Sequence, residues 1–188
     1  MKRITTLILL GLLSTGCSTV VSSLKEEPIQ EDPTGRTTGS FVDDELIEIK
    51  SNVNISKGSA ELSSSHINIT SFNGIVLIAG QVATEASRQE AEQIVSQVRK
   101  IRRIHNELTI TSPTSTLTRA SDTWITAKIK ANMIGDKQID ATQIKVVTEN
   151  GVVYLMGLVT RAQSDKAIEV VRRVNGIQKI VKIFEYID

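Results

Sequence analysis

Ile144–Val159 reads IKVVTENGVVYLMGLV, and Ile67–Val82 reads INITSFNGIVLIAGQV. Each is an apolar run, an Asn-Gly pair and a second apolar run. Asn-Gly in that setting is the strongest short-range signal of a β-hairpin, because a type I′ turn needs positive φ at both central residues. Asn73-Gly74 and Asn150-Gly151 lie 77 residues apart, and so do Gly80 and Gly157, which close the second strand of each copy. A unit of about 70 residues written twice in tandem suits two small domains rather than a solenoid, whose repeats run to about 20–50 residues.

The same elements recur around each hairpin. In the first copy the acidic run Asp43-Asp44-Glu45 suits a helix N-terminus, and Leu46, Ile49 and Val53 share one helical stripe that predicts its core face. Gly58–Ser65 reads as a polar loop. After the hairpin, Thr84 caps a helix whose Ala91, Ile94, Val95 and Val98 keep the i, i+3, i+4, i+7 spacing, and a third strand is expected over Arg103–Ile110. In the second copy Ser121 or Asp122 starts a helix running to about Met133. The later helix carries Ala167, Ile168, Val170, Val171 and Val174, ends at Asn175-Gly176, and is followed by a strand over Ile177–Ile187. Both copies run α-β-β-α-β, an α+β fold. Where the second has Asn175-Gly176 the first has Arg99-Lys100, so its turn must be built without glycine.

The middle strands, Ile75-Val76-Leu77-Ile78 and Val152-Val153-Tyr154-Leu155-Met156, are apolar without alternation, which implies cover on both sheet faces. Helices on one side cannot cover both. Either the two domains pack on each other, or one sheet face takes a protein partner.

At the N-terminus, Lys2-Arg3 precedes Ile4–Leu13. That apolar run is too short to span a bilayer of roughly 30 Å and reads as an export signal covering residues 1–16. Ser14-Thr15-Gly16 before Cys17 resembles the lipobox of bacterial lipoproteins, with Ser14 where Leu is commonest. The resemblance makes Cys17 the lipidated first residue of the mature chain; the plainer reading is a cleaved signal with a spare thiol. Cys17 is the one cysteine, so no intrachain disulfide forms. Acyl chains, each stabilised by about 0.8 kcal/mol per buried CH₂, make such an anchor effectively permanent. In enteric-type lipoproteins an Asp after the cysteine favours the inner membrane; Ser18 stands there, so the resemblance implies the outer membrane, with the protein facing the periplasm. Residues 17–40, rich in Ser, Thr, acids, Pro28 and Pro33, are expected to form a flexible tether reaching roughly 25 Å.

A catalytic set is missing from the pattern. His66 and His105 are the only histidines and have no second ligand at metal spacing; no nucleophile elbow, phosphate loop or metalloprotease helix occurs. The expectation is a non-enzyme with no cofactor and no metal. Net charge is +1, and nucleic acid is not an expected partner.

Duplicated α-β-β-α-β units, with an Asn-Gly hairpin, a Gly closing the second strand and V-x-G-I opening the third, resemble the BON domain. With the lipobox in front, the chain is similar to the dual-BON outer-membrane lipoproteins. That resemblance divides it into a first BON domain over 41–110, a linker over 111–120 and a second BON domain over 121–188, each a mixed three-stranded sheet on two helices. It implies binding of anionic phospholipid, phosphatidylglycerol or cardiolipin, by the second domain, a place at the division site, and a role in outer-membrane integrity and envelope stress.

The residues suggest where lipid would sit. On a wheel of about 100° per residue, Ile125, Ile129 and Met133 share one side, while Trp124, Ala127, Lys128 and Ala131 share another. Trp124, Ile125, Ala127, Lys128 and Ala131 are therefore the expected lipid-binding stretch, with Ile125 turned toward the core. Trp seats well at a membrane interface, and Lys can meet a lipid phosphate while its stem lies along acyl chains. The first domain carries net −2 and the second net +2, which favours the second at an anionic surface. The competing use of Trp124 is packing against the first domain. The run Arg99-Lys100-Ile101-Arg102-Arg103 could form an anion patch but reads more simply as a solvated helix end. The rival function is an envelope protein-interaction module, for cell-wall amidase regulation or outer-membrane assembly.

Overall fold

The computed structural model describes residues 36–188. The expected signal, Cys17 and all but the last few residues of the tether lie outside the described residues. The first domain comprises α1 (Thr38–Ser56), α2 (Ala60–Ser63), β1 (His66–Phe72), β2 (Ile75–Val82), α3 (Glu85–Ser96) and β3 (Arg103–Ile110). The second comprises α4 (Thr116–Gly135), a single 3-10 turn at Ala141–Gln143, β4 (Ile144–Glu149), β5 (Val152–Val159), α5 (Arg161–Arg172) and β6 (Lys179–Tyr186). Each sheet keeps its strands in chain order, the first pair antiparallel and the second parallel. A two-residue turn suffices for the antiparallel pair, whereas the parallel neighbour needs a crossover, which α3 and α5 supply.

The hairpins have the expected turns: Asn73 and Gly74 have φ of 51° and 73°, and Asn150 and Gly151 have 48° and 72°. The glycine that closes each second strand is there for close approach. A Cβ on Gly80 would lie 2.0 Å from the His66 carbonyl oxygen, and one on Gly157 would lie 2.6 Å from that of Gln143.

Both first helices begin earlier than their acids suggest. Thr37 caps α1, its side chain accepting from Ser40 N–H, and Ser115 caps α4 by accepting from Thr118 N–H. Asp44 and Asp122 therefore sit inside their helices, buried, and do another job. The Asp44 carboxylate accepts from the backbone N–H of Asn73 at 2.7 Å and Gly74 at 2.9 Å, and from Ser71 Oγ at 2.7 Å. Asp122 accepts from the N–H groups of Asn150 and Gly151, both at 2.8 Å. A type I′ turn leaves those donors pointing away from the ladder. A carboxylate from the helix satisfies them and pins helix to hairpin.

That arrangement reverses the expected face of α1. Its buried residues are Asp44, Ile47, Ser51 and Ile55, whereas Leu46, Ile49 and Val53 are exposed. The helix has two apolar stripes, and the inner one is interrupted by Ser51 and by Asp44, which holds the hairpin, so apolar spacing alone selects the outer one. Within the expected polar loop, Leu62 on α2 is buried and closes the first core. In the second domain the expectation held: Ile125, Ile129 and Met133 enter the core with Leu155 and Val171.

The uninterrupted middle strands serve two cores at once. Val76 and Ile78 face the helices of the first domain. Ile75, Leu77 and Ala79, with Phe72, meet Val147, Tyr154, Met156 and Ile183 of the second sheet. The domains thus pack sheet against sheet, which is the first of the two arrangements the strands allowed. Polar contacts frame this third core. Arg102 reaches the Glu185 carboxylate with both terminal nitrogens, at 2.9 and 2.6 Å, and Asn73 Nδ2 donates to it at 3.0 Å. Lys145 Nζ lies 2.6 Å from Glu48 Oε1. Gln81 Nε2 donates to Glu149 at 3.0 Å, and His66 Nε2 lies 3.3 Å from the same oxygen. Burial pushes the Tyr154 phenol up to about 12, with Glu107 and Glu149 adding to the shift.

At the end of α3 the missing glycine is replaced by Lys100, which takes a φ of 74°; Gly176 holds the matching place after α5 with a φ of 90°.

Candidate functional site

α4 is a helix of 20 residues, about 30 Å long. Its inner face is fixed by Ile125, Ile129 and Met133 in the core, by the Asp122 carboxylate on the hairpin, and by a Thr126 Oγ1–H donated to Thr148 Oγ1 at 2.8 Å. Its outer face is apolar and open. Trp124 is 57% exposed, and Ala127, Lys128 and Ala131 are exposed beside it. The competing role for Trp124, a contact with the first domain, is not what the fold uses: the domains meet through their sheets. Lys128 makes no ion pair or hydrogen bond through its side chain among the described residues.

Ile125 departs from the rest of the expected set. It is 2% exposed, with its Cδ1 close to Gly176, and it enters the core rather than facing outward. Two residues outside the expected set extend the face, Leu117 at one end and Ile134 at the other, both largely exposed. Leu117 was hidden in the expected linker 111–120, since a start at Ser121 or Asp122 leaves it outside the helix. The signal that finds it is Ser115, a capping residue directly before an uninterrupted helical run. From Leu117 to Ile134 the apolar strip spans about 25 Å.

Beside this strip, a cleft of about 500 Å³ opens between α4, β4 and the outer strand β1 of the first domain. Arg119, Thr123, Thr126, Lys130, His66 and Asn68 are among its lining residues. Asp122 and Glu149 also reach it, but both are engaged in hydrogen bonds. Arg119 and Lys130 have no side-chain partner among the described residues, so this flank of the helix presents cations.

The other sequence candidates do not assemble a site. His66 is taken up by Glu149. His105 lies in the other strand edge of the first sheet, and burial, then Arg103, hold its imidazole below the usual range. No group of three His, Cys, Asp or Glu side chains gathers for a metal among the described residues. The basic run at 99–103 is partly neutralised: Lys100 pairs with Asp43 at 2.6 Å and Arg102 with Glu185. No described helix is long and apolar enough to cross a membrane.

Comparison with known proteins completes the picture. The BON domain model matches residues 43–112 and again 121–187. The chain is 31% identical over 190 aligned residues to the outer membrane lipoprotein DolP of Haemophilus influenzae, covering 100% of this chain and 97% of that protein. It is 34% identical over 152 residues to a 21 kDa hemolysin of Actinobacillus pleuropneumoniae, covering 81% and 78%. It is 28% identical over 145 residues to the osmotically-inducible protein Y of Escherichia coli, covering 76% and 72%. None of these relatives is named for an enzymatic reaction.

Proposed function

From the premise that this chain belongs to the BON-domain family, as a dual-domain lipoprotein anchored at the outer membrane, we propose that its second BON domain docks on anionic phospholipid through the outer face of α4. The observation that carries this reading is the exposure of Trp124 on a helix whose inner side is fully engaged, with Ala127 and Ala131 leaving the indole free to enter an interface. Lys128 on the strip, and Arg119 and Lys130 on its flank, supply cations for lipid phosphates. The first domain offers no such surface: the helix equivalent to α4 has Asp43 and Glu45 beside its apolar residues.

The mechanism is attachment at two points. The acyl anchor holds the domains at high local concentration over the membrane, and the weaker contact through α4 selects regions by lipid charge. Placement at the division site and support of outer-membrane integrity would follow from that selection. The rival reading is an envelope protein-interaction module using an apolar sheet face or the Trp124 helix; the sheet faces are buried against each other, which leaves it the helix alone.

The test is co-sedimentation of residues 36–188, which contain all three apolar cores, with phosphatidylglycerol-containing and neutral vesicles. Binding is expected to require the anionic lipid and to weaken as salt rises. Lys128→Ala should weaken it about fivefold, from about 1 kcal/mol per base near the surface; Trp124→Ala should weaken it more, and Leu46→Ala not at all. Equal binding to neutral vesicles, or none to either, overturns the reading.

A further inference from the structure

The outer face of α1 is a second exposed apolar surface, apart from that of α4. Val42, Leu46, Ile49 and Val53 are 49, 43, 57 and 44% exposed. Their spacings are four, three and four, the alternation of the two seam positions of a coiled coil. Ile47, Ser51 and Ile55, which enter the first domain, lie nearly opposite on the helix, so the seam points straight away from the body.

We infer that α1 pairs with α1 of a second copy of this chain, in parallel, along this seam. Three observations select that occupant. The alternating spacing lets four side chains of one helix interlock with the same four of a second, as the two seam positions of a coiled coil do. The flanking charges match: Glu45 precedes Leu46 and Lys50 follows Ile49, the two positions at which a parallel pair sets a residue of one helix against the residue five further along in the other. Neither Glu45 nor Lys50 has a side-chain partner in its own chain among the described residues. Finally, the chain is anchored from the N-terminal side of α1, so in a parallel pair both tethers leave from the same end and reach one membrane together.

Four side chains bury much less than the about 800 Å² per partner of a standard interface, so the pair is weak in dilute solution. Confinement to one membrane raises the effective concentration to the millimolar range and makes it form there. The matching positions of α4 carry Trp124, Ala127 and Ala131 in place of Leu46, Ile49 and Val53, which removes the seam from the second domain. The two duplicated helices thus take different occupants.

The test is disulfide cross-linking of the full lipoprotein in membranes. Single variants Val42→Cys, Leu46→Cys, Ile49→Cys and Val53→Cys are compared with Asn54→Cys on the flank of α1 and Ser96→Cys on α3, and the wild-type chain, whose one cysteine is Cys17, gives the background. All substituted side chains are exposed, so folding is preserved. Dimer is expected at all four seam positions, at about tenfold or more above the two controls, the enrichment an oriented contact gives over random collision. It should be lost at Val53→Cys when Leu46→Asn and Ile49→Asn are added. Dimer at Leu46→Cys and Ile49→Cys without Val42→Cys or Val53→Cys would make the pair antiparallel and overturn the parallel assignment. Equal yields at seam and control positions, or none anywhere, overturn the inference. If cross-links are absent and Leu46→Asn instead weakens vesicle binding, the seam lies on the membrane.

Discussion

Replacing Asp122 by Ala removes one side chain and leaves two backbone donors of the second hairpin without an acceptor. Both bonds, from Asn150 and Gly151 N–H at 2.8 Å, go to a carboxylate. Hydrogen bonds to charged groups contribute about 1.5–3 kcal/mol each. The pair therefore sums to roughly 3–6 kcal/mol, reduced because the Asn150 donor is only partly buried and regains water, and because a buried charge is no longer desolvated. We expect a loss of about 3 kcal/mol, which for a unit of this size lowers Tm by about 6–12 °C. Asp122→Asn keeps one acceptor and should lose about half as much. Asp44→Ala in the first domain should lose more than Asp122→Ala, since that carboxylate also accepts from Ser71 Oγ and pairs with Arg36. Asp165→Ala, an exposed acid on α5, should stay within about 0.5 kcal/mol. Urea unfolding gives the energies, and amide exchange at Gly151 reports the bond itself. A cost below about 1 kcal/mol with Gly151 protection unchanged would refute the idea that this carboxylate ties helix to hairpin. The effect also reaches the outer face of α4, because Asp122 lies two residues before Trp124, and if that face binds lipid as proposed, vesicle binding should weaken in proportion to the loosening of α4.

The turn after each crossover helix gives a paired prediction. Lys100→Gly should stabilise the protein by up to about 1 kcal/mol, as relief of a left-handed lysine slightly exceeds the loss of its exposed ion pair with Asp43. Gly176→Ala should destabilise it by about 1–2 kcal/mol, since the added Cβ meets both the positive φ and Ile125 Cδ1 at 3.3 Å; thermal unfolding of the two variants checks both signs. The contact between domains should also be acid-sensitive. Burial alone would raise the Glu185 carboxyl, but the Arg102 and Asn73 hydrogen bonds and the charges of Arg102 and Arg103 outweigh it and hold it below 4.5. Its contribution is thus complete above pH 4.5 and lost as pH falls through the lower folded value. In Arg102→Gln the decline in Tm over that range should flatten, and an unchanged pH profile would exclude Glu185 as its source.

Much of this was legible because the signals were local. Asn-Gly between apolar runs specifies a turn geometry that only a few residues can adopt, and both hairpins have it. The crossover helices follow from apolar stripes that nothing contests, the first with its cap at Thr84, while the cap of the second at Thr160 emerged only from the structure. What misled was α1, where the stripe through Leu46, Ile49 and Val53 is the better hydrophobic pattern and yet faces outward. The inner face carries Asp44 because part of its work is to satisfy a hairpin 30 residues away, and such a partnership leaves no periodic trace. The same displacement hid the true starts of both first helices, since an acid that caps a helix and one that braces a distant turn look identical in the sequence. On the outer face of α4, the exposure of Trp124, Ala127, Lys128 and Ala131 follows from helical spacing, whereas Leu117 needed the cap at Ser115 and the cleft residues His66 and Asn68 needed the other domain. At the sheets, the apolar run of each middle strand disclosed that both faces were covered but not by what.

The packing of sheet on sheet explains why the duplicated helices could diverge. Each domain alone would leave one face of its sheet open, with Leu77 or Tyr154 and Met156 in water. Meeting face to face removes that exposure from both and fixes the domains as one body, with Arg102–Glu185 and Lys145–Glu48 setting the alignment. The helices are then outermost in each domain, braced from within by Asp44 or Asp122, and their outward residues no longer bear on stability. At those positions the copies differ in character: Leu46, Ile49 and Val53 against Trp124, Ala127 and Ala131. Exchanging the two triads should therefore move vesicle binding toward the first domain and helix pairing toward the second, with little change in the unfolding free energy. A large loss of stability on exchange would mean that the outer faces still serve the fold.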